Sequence, residues 1–379
     1  MKQLATLIIL ISINSLIFAQ CNGRYQTEIF SSVAVNEVNY SDVYNDNEHK
    51  MDIYTANGDT VTNRPVILYF HGGSFLGGNK SEVDCVDFCE NFAKKGYVTA
   101  SANYRLALDP QSFALYQEEQ YTTVLKVVSD IKGAIRYFRK SIVNGNPYGI
   151  DGNAIFIGGY SAGAVAAIHS SYIDTISDLP ISITYIDLLT GQSVDFNPQD
   201  LVSTIGGNLE GDAGNYGFSS EVSGVVSFAG GINDINWIDI NDEPIVSCQG
   251  DADQIVNYNC GPGLNIPTVF TLCGAAEIHP KANIEGLTND YLVFSGEGHE
   301  WCSAGNSSSL FLQALDFTSA FLFPLLPCNN TTSISEENTR NKQLIRTTDM
   351  LGRNANTINN GPLFYIFDDG SVEKKIIIN

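Results

Sequence analysis

Charge is scarce in this sequence, and basic charge scarcer still. Only 16% of the 379 residues are Asp, Glu, Lys or Arg, against roughly 25% in an ordinary soluble domain. Twenty are basic and 42 acidic, a formal net charge of −22. A surface of that sign repels phosphate backbones, so nucleic acid is excluded as a partner class. Histidine is rare at five residues, which leaves few candidates for acid–base work near neutral pH. Zinc-ribbon spacing is missing among the cysteines. The 34 glycines keep no three-residue period, which rules out a collagen-like chain. Beyond the N-terminus there is no apolar run long enough to cross a bilayer. Apolar residues are plentiful at 44%. That argues against wholesale disorder and allows one large α/β domain with a small appendage, or two modest domains.

The two ends differ from the rest. Residues 1–20 (MKQLATLIILISINSLIFAQ) run from Lys2 through an apolar stretch to the small-residue exit at Ala19, the order of a secretory signal peptide. Ser12, Asn14 and Ser15 break the unbroken span a membrane anchor would need. Gln20 stands where a lipobox would need a small residue before Cys21. All eight cysteines lie downstream of this leader, and an even number in an exported chain points to disulfides rather than metal. After Cys328 the chain turns polar: 329–342 reads as a linker, and 343–379 as a small β appendage of three or four short strands. Its Asp349-Met350-Leu351-Gly352-Arg353, its Tyr365-containing apolar strand, Asp368-Asp369-Gly370 and the closing Lys374-Lys375-Ile376-Ile377-Ile378 resemble the C-terminal sorting domain of the Bacteroidetes type IX secretion system. That resemblance implies passage through the periplasm, the type IX machinery as a partner, and a secreted or cell-surface protein without a stable transmembrane segment.

Between the ends, residues 21–328 alternate strands and helices. Strands are expected at Val66–Phe70, Val98–Tyr104, Ile155–Ile157, Val222–Phe228, Ile245–Cys248 and Tyr291–Phe294. Helices are expected at Thr123–Lys140, Ala162–Ser171 and Ser309–Phe323. This order predicts an α/β fold, a mainly parallel central sheet with helices on both faces. Asp174–Glu221 breaks the alternation. It is rich in Asn, Asp, Gly and Ser, with a strand expected at Ile181–Ile186, and reads either as a lid or as a disordered surface excursion.

Gly159-Tyr160-Ser161-Ala162-Gly163 is a G-x-S-x-G motif entered by a strand and left by a small-residue helix, the turn that presents a nucleophilic serine at the carboxyl edge of a sheet. A serine hydroxyl needs a base, and the base a carboxylate. His299, in a glycine-flanked loop after the last expected strand, follows in the order Ser…Asp…His and is the candidate base. His169 lies eight residues past Ser161 on the same helix and is expected to point away. His71 belongs to a turn, and His279 is expected at a helix start before Pro280. Two aspartates, Asp251 and Asp253, follow the Ile245–Cys248 strand in the right place for the acid. His71-Gly72-Gly73-Ser74-Phe75 can bring backbone N–H groups close to a ligand because glycine lacks Cβ. The N–H groups of Gly73, Ser74 and Ala162 are the candidate oxyanion donors.

Together these motifs resemble the α/β-hydrolase superfamily on its carboxylesterase and hormone-sensitive-lipase side, over about residues 40–325. The resemblance rests on HGGSF at 71–75, Ala102-Asn103-Tyr104-Arg105-Leu106, Asp130 on the next helix, Tyr148-Gly149-Ile150-Asp151, GYSAG at 159–163, GDAD at 250–253 and GEGHEW at 296–301. HGGS replaces the family's usual HGGG, so Ser74 supplies an N–H where glycine is common. In GDAD it is Asp253 that matches the family's G-x-x-D pattern, with Asp251 left as a turn residue. The resemblance implies a secreted serine hydrolase that cleaves small or polymeric carboxylic esters through an acyl-enzyme, with Ser161, Asp253 and His299 as triad and no cofactor or metal. A serine peptidase on the same fold, and a non-catalytic binding protein on a hydrolase scaffold, are the alternatives. Selectivity is expected to depend on 174–221 and on Phe75, Tyr160 and Trp301.

Overall fold

The computed structural model describes residues 21, 23–327, 344–348, 361–367 and 372–377. The leader 1–20, the linker 329–342 and the Asp349–Arg353 turn lie outside the described residues. The chain divides into two units, 1–329 and 330–379.

In the first unit the elements follow as β1 (Val33–Asn39), β2 (Lys50–Ala56), β3 (Arg64–Phe70), α1 (Val83–Lys94), β4 (Val98–Ala102), α2 (Pro110–Leu115), α3 (Gln117–Val143), β5 (Ile150–Tyr160) and α4 (Ala162–Tyr172). Then come β6 (Ile183–Ile186), β7 (Ser193–Phe196), β8 (Val225–Phe228), β9 (Ile245–Gly250), β10 (Cys260–Pro262), β11 (Thr271–Cys273), α5 (Ala275–Glu285), β12 (Asn289–Phe294) and α6 (Ser309–Leu322). Eight strands form one sheet in the order β1-β2-β4-β3-β5-β8-β9-β12. From β4 to β12 every pairing is parallel; β2 runs antiparallel to β4, and β1 to β2.

The strands read as near-continuous apolar runs because the sheet is covered on both faces. Alternate residues of β3 go to opposite cores. Val66, Leu68 and Phe70 face the cluster built with α3, α4 and α5, while Ile67 and Tyr69 face the one built with α1 and α6. β5 divides Ile155 and Ile157 from Phe156 in the same way. The parallel register has a functional consequence. The chain leaves β3, β5, β9 and β12 at one edge of the sheet, and the HGG, G-x-S-x-G, GDAD and GEGHEW segments are those four exits.

Several expectations need correcting. β1, β2 and α1 were not foreseen, and the helix holding His279 begins at Ala275, with Pro280 inside it. The cysteines do not form a full disulfide framework. Cys260 pairs with Cys273 and Cys21 is disulfide-bonded, whereas Cys85, Cys89, Cys248 and Cys302 are free, buried thiols. They pack with Tyr69, Phe88 and Phe228 in the α1/α6 core, where a thiol serves as a small hydrophobe.

Residues 174–221 are ordered. A hairpin of β6 and β7 is followed by a 3-10 helix, Pro198–Ile205, and by a loop fastened to α3. In that loop Glu210 pairs with Arg136 at 2.8 Å, and Asp212 accepts from Ser129 Oγ at 2.9 Å.

The second unit contributes β13 (Leu344–Thr348), β14 (Gly361–Phe367) and β15 (Val372–Ile377), a three-stranded antiparallel sheet. Among the described residues no helix is long and apolar enough to cross a membrane.

Candidate active site

Ser161 sits between the last residue of β5 and the first of α4 with φ 54° and ψ −120°. Left-handed φ is costly for a side chain with a Cβ, and such strain is held only where the surroundings over-determine it. Here the Ser161 N–H donates to the Phe228 carbonyl at 2.8 Å, and α4 lies close against the end of β3. A Cβ on Gly163 would stand 2.1 Å from the Phe70 carbonyl oxygen, so only glycine permits this approach.

His299 reaches Ser161 from the β12 exit. Its Nε2 is 2.7 Å from Ser161 Oγ, and its Nδ1 is 2.7 Å from Asp253 Oδ2. Asp253 is fully enclosed, and its other oxygen accepts the N–H groups of Ile255 and Val256 at 2.9 and 3.0 Å. The structure therefore brings Ser161, His299 and Asp253 into one file. Asp251 instead ties the loop down, accepting from Ser295 Oγ at 3.0 Å and the Gly296 N–H at 2.6 Å.

Tyr160 supports the imidazole. Its ring stacks on His299 at 5.2 Å, and its hydroxyl donates to the His299 carbonyl at 3.1 Å and to Glu300 at 3.2 Å. The motif's variable position thus holds the His299 imidazole in place, a contact that the G-x-S-x-G pattern does not reveal. His169 does not reach Ser161. Eight residues make two turns and a further 80° or so, so it lies about 12 Å further along α4 and turned well away from Ser161. Its Nδ1 donates to the Val165 carbonyl at 2.7 Å, and its edge meets Trp237.

The HGGSF segment takes left-handed φ at Gly73 (113°), Ser74 (58°) and Phe75 (63°). A Cβ on Gly73 would meet the Gly77 carbonyl oxygen at 2.1 Å. Tyr104 fixes the segment by donating from its hydroxyl to the His71 carbonyl at 2.7 Å and stacking on the His71 ring at 4.2 Å. Burial pushes the His71 imidazole down to about 4, so it is neutral near pH 7. Behind Tyr104, Arg105 pairs with the enclosed Asp130 at 2.7 Å, and Asp130 also meets His49 Nε2 at 3.2 Å. These contacts explain why the sequence couples the Tyr104-Arg105 strand end to Asp130 one helix later.

Two cavities meet at Ser161. One, of about 430 Å³, holds Gly73, Ser74, His299, Glu300, Glu82 and Asp84. The other is narrower; it also touches Ser161 and Ala162 but is apolar, with Phe75, Phe113, Val165, Val269, Phe270 and Leu272. Gly73, Ser74 and Ala162 therefore border the serine from both sides. Neither cavity takes a lining residue from 174–221. Tyr160 and Phe75 line the site, whereas Trp301 packs on Phe228 and Phe294 in the core. Much of the apolar wall is the 260–273 segment, β10 and β11 joined by the Cys260–Cys273 bond.

Asp84, in the first turn of α1, is 4% exposed. Burial, aided by the nearby Glu82 charge, pushes its carboxyl up to about 7. An unfolded aspartate ionises near 4, so between those values the unfolded chain gives up this proton first. Stability falls as pH rises through that window, and the loss is complete above pH 7. Asp84→Asn is accordingly expected to leave Tm unchanged at pH 4 and to raise it progressively up to pH 8. The gain there is on the order of a few kcal/mol. Thermal melts of both proteins across that range check this; a constant difference between them would show that Asp84 is charged in the fold throughout.

An α/β-hydrolase fold with a strained serine at its strand–helix elbow is the class that sheet and site define. The chain belongs to the BD-FAE family, whose model matches residues 51–265, more than half its length and inclusive of Ser161 and Asp253. Solved structures share the fold. A truncated form of a carbohydrate esterase from gut microbiota is 19% identical, covering 79% of this chain and 97% of its own, with TM-score 0.53. The esterase Est2 of the planctomycete Thermogutta terrifontis with propionate bound is 18% identical, covering 79% and 95%, with TM-score 0.51. The same esterase phosphoramylated by tabun is 17% identical, covering 77% and 94%, with TM-score 0.50. No curated protein matches the sequence significantly.

Proposed function

We propose that the protein is an exported serine hydrolase of carboxylic esters. The observation that carries this reading is the continuous file from Asp253 through His299 to Ser161, two contacts of 2.7 Å, ending where two cavities meet. Ser161 Oγ attacks the acyl carbon while His299 Nε2 takes its proton. Asp253 holds the proton on Nδ1 and stabilises the imidazolium. The N–H groups of Gly73, Ser74 and Ala162 receive the oxyanion. Collapse expels the alcohol, protonated by His299, and water then cleaves the acyl-enzyme with His299 again as base.

The proton's path assigns the two cavities. The leaving oxygen must face His299, so the alcohol occupies the polar cavity with Glu82, Asp84 and Glu300. The acyl group occupies the apolar one. Hydroxyl-bearing alcohols fit the first, since carboxyl groups accept hydrogen bonds from them; anionic alcohols meet like charge.

The similar structures are esterases, one of them modified by an organophosphorus agent, and this supports the ester reading. A fluorophosphonate probe is expected to label the purified protein once, on the peptide containing Ser161, with proportional loss of p-nitrophenyl ester turnover. Absence of labelling, or labelling elsewhere, overturns the proposal. Export rests on the leader-like 1–20 and the sorting-domain resemblance of 343–379, whose described strands form their own sheet. Deleting 343–379 is expected to trap the protein in the periplasm of a host with type IX secretion; undiminished release to the medium counts against it.

A further inference from the structure

A second, narrow cavity lies past the acyl cavity. Its walls include Tyr121, Leu125, His169, Ile173 and Trp237, and Phe270 stands in the linings of both. Helix α4 carries the two in file: Ser161 at its N-cap, Val165 in the first, His169 and then Ile173 in the second. At 1.5 Å per residue, the second cavity begins roughly 12 Å along the helix from the nucleophile.

Most polar groups in its wall are already engaged, the His169 Nε2 excepted. Tyr121 donates from its hydroxyl to Asn233 Oδ1 at 2.7 Å, and His169 Nδ1 donates to the Val165 carbonyl at 2.7 Å. Burial holds the His169 imidazole down at about 4, hence uncharged near pH 7. Such a space suits hydrocarbon.

Phe270 is held firmly between the two spaces. Its N–H donates to the buried Gln120 Oε1 at 2.9 Å, its ring packs against Tyr121 at 5.9 Å, and it lies inside the segment closed by the Cys260–Cys273 bond. We propose that the two cavities are one acyl channel partitioned by the Phe270 ring, and that this residue restricts the enzyme to short acyl chains. The inference rests on the ester-hydrolase reading and adds the residue that sets acyl length.

The test compares kcat/KM on p-nitrophenyl esters from butyrate to laurate. The wild type is expected to fall away beyond short chains. Phe270→Ala is expected to raise the laurate-to-butyrate ratio at least about tenfold, the scale of a few newly accommodated methylenes. Phe270→Leu is expected to produce a smaller shift in the same direction and keeps the test open should the alanine variant fold poorly. Leu125→Trp, placed in the Phe270→Ala background to fill the second cavity, is expected to restore the short-chain profile, which general loosening of the wall would not. An unchanged chain-length profile in both Phe270 variants while they still cleave butyrate overturns the partition. So does a long-chain gain that Leu125→Trp leaves in place. Absence of turnover on every ester by the wild type strikes instead at the ester-hydrolase reading.

Discussion

Ser161→Ala is expected to lower kcat on a p-nitrophenyl ester by roughly four to six orders of magnitude. The fold should hardly notice. The hydroxyl gives one hydrogen bond to His299, and alanine inherits the same backbone strain at φ 54°. His299→Ala is expected to cost about as much, and the double variant little more, because nucleophile and base act as a unit. Asp253→Asn is the informative third member. Its amide can turn a donor toward His299 Nδ1, which moves the ring proton to Nε2 and leaves that nitrogen unable to accept from Ser161. A loss of roughly four orders of magnitude follows from the wrong tautomer alone. Steady-state kinetics on the three variants, with Tm as the folding control, checks the set. Near wild-type turnover by Ser161→Ala would assign the attack to another group.

Asp130→Ala is expected to produce the largest loss of stability among single substitutions at charged positions. Asp130 is fully enclosed and receives the Arg105 N–H at 2.8 Å, the Arg105 guanidinium at 2.7 Å and His49 at 3.2 Å. Removing it takes a partner from a guanidinium and from an imidazole in a desolvated site, which costs roughly 3–5 kcal/mol; His49 keeps Asp46 at 2.6 Å. Asp212, 2.7 Å from Arg105, keeps part of the compensation, so the lower half of that range is expected. For a unit of this size the matching fall in Tm is roughly 4–10 °C. The effect reaches the site through Tyr104, the residue before Arg105, whose hydroxyl fixes the His71 carbonyl. kcat/KM of the folded variant is therefore expected to drop as well. Denaturant titration and kinetics below the melting range measure the two effects separately; unchanged stability would show that Asp130 is dispensable to the network.

The site was far more legible in the sequence than its walls. Ser161, Asp253, His299 and the HGGSF turn are local motifs, because each lies where the chain leaves a parallel strand and only a narrow set of residues permits the required backbone. Parallel strands with both faces buried are also easy to see, and Val66–Phe70 and Ile155–Ile157 were found for that reason. β1 was not, since Val33–Asn39 is largely exposed and exists as a strand through its pairing with β2. α1 was hidden because Cys85 and Cys89, read as cross-link candidates, are two positions of a helical stripe with Phe88 and Phe92. The 260–273 wall was invisible for another reason. Leu264, Val269, Phe270 and Leu272 are spaced by glycine and proline with neither helical nor strand period, and they acquire a common direction only when the segment folds back on α3. Phe270 carries the clearest example, since nothing in its neighbours in sequence announces two cavities.

The order of the strands also sets when activity can begin. The serine of the elbow is made early, but its imidazole comes 138 residues later, on the loop leaving β12 at the far edge of the sheet. On the proposed mechanism, a nascent or truncated chain ending before that loop carries a serine with nothing to take its proton, and so does not yet cleave esters.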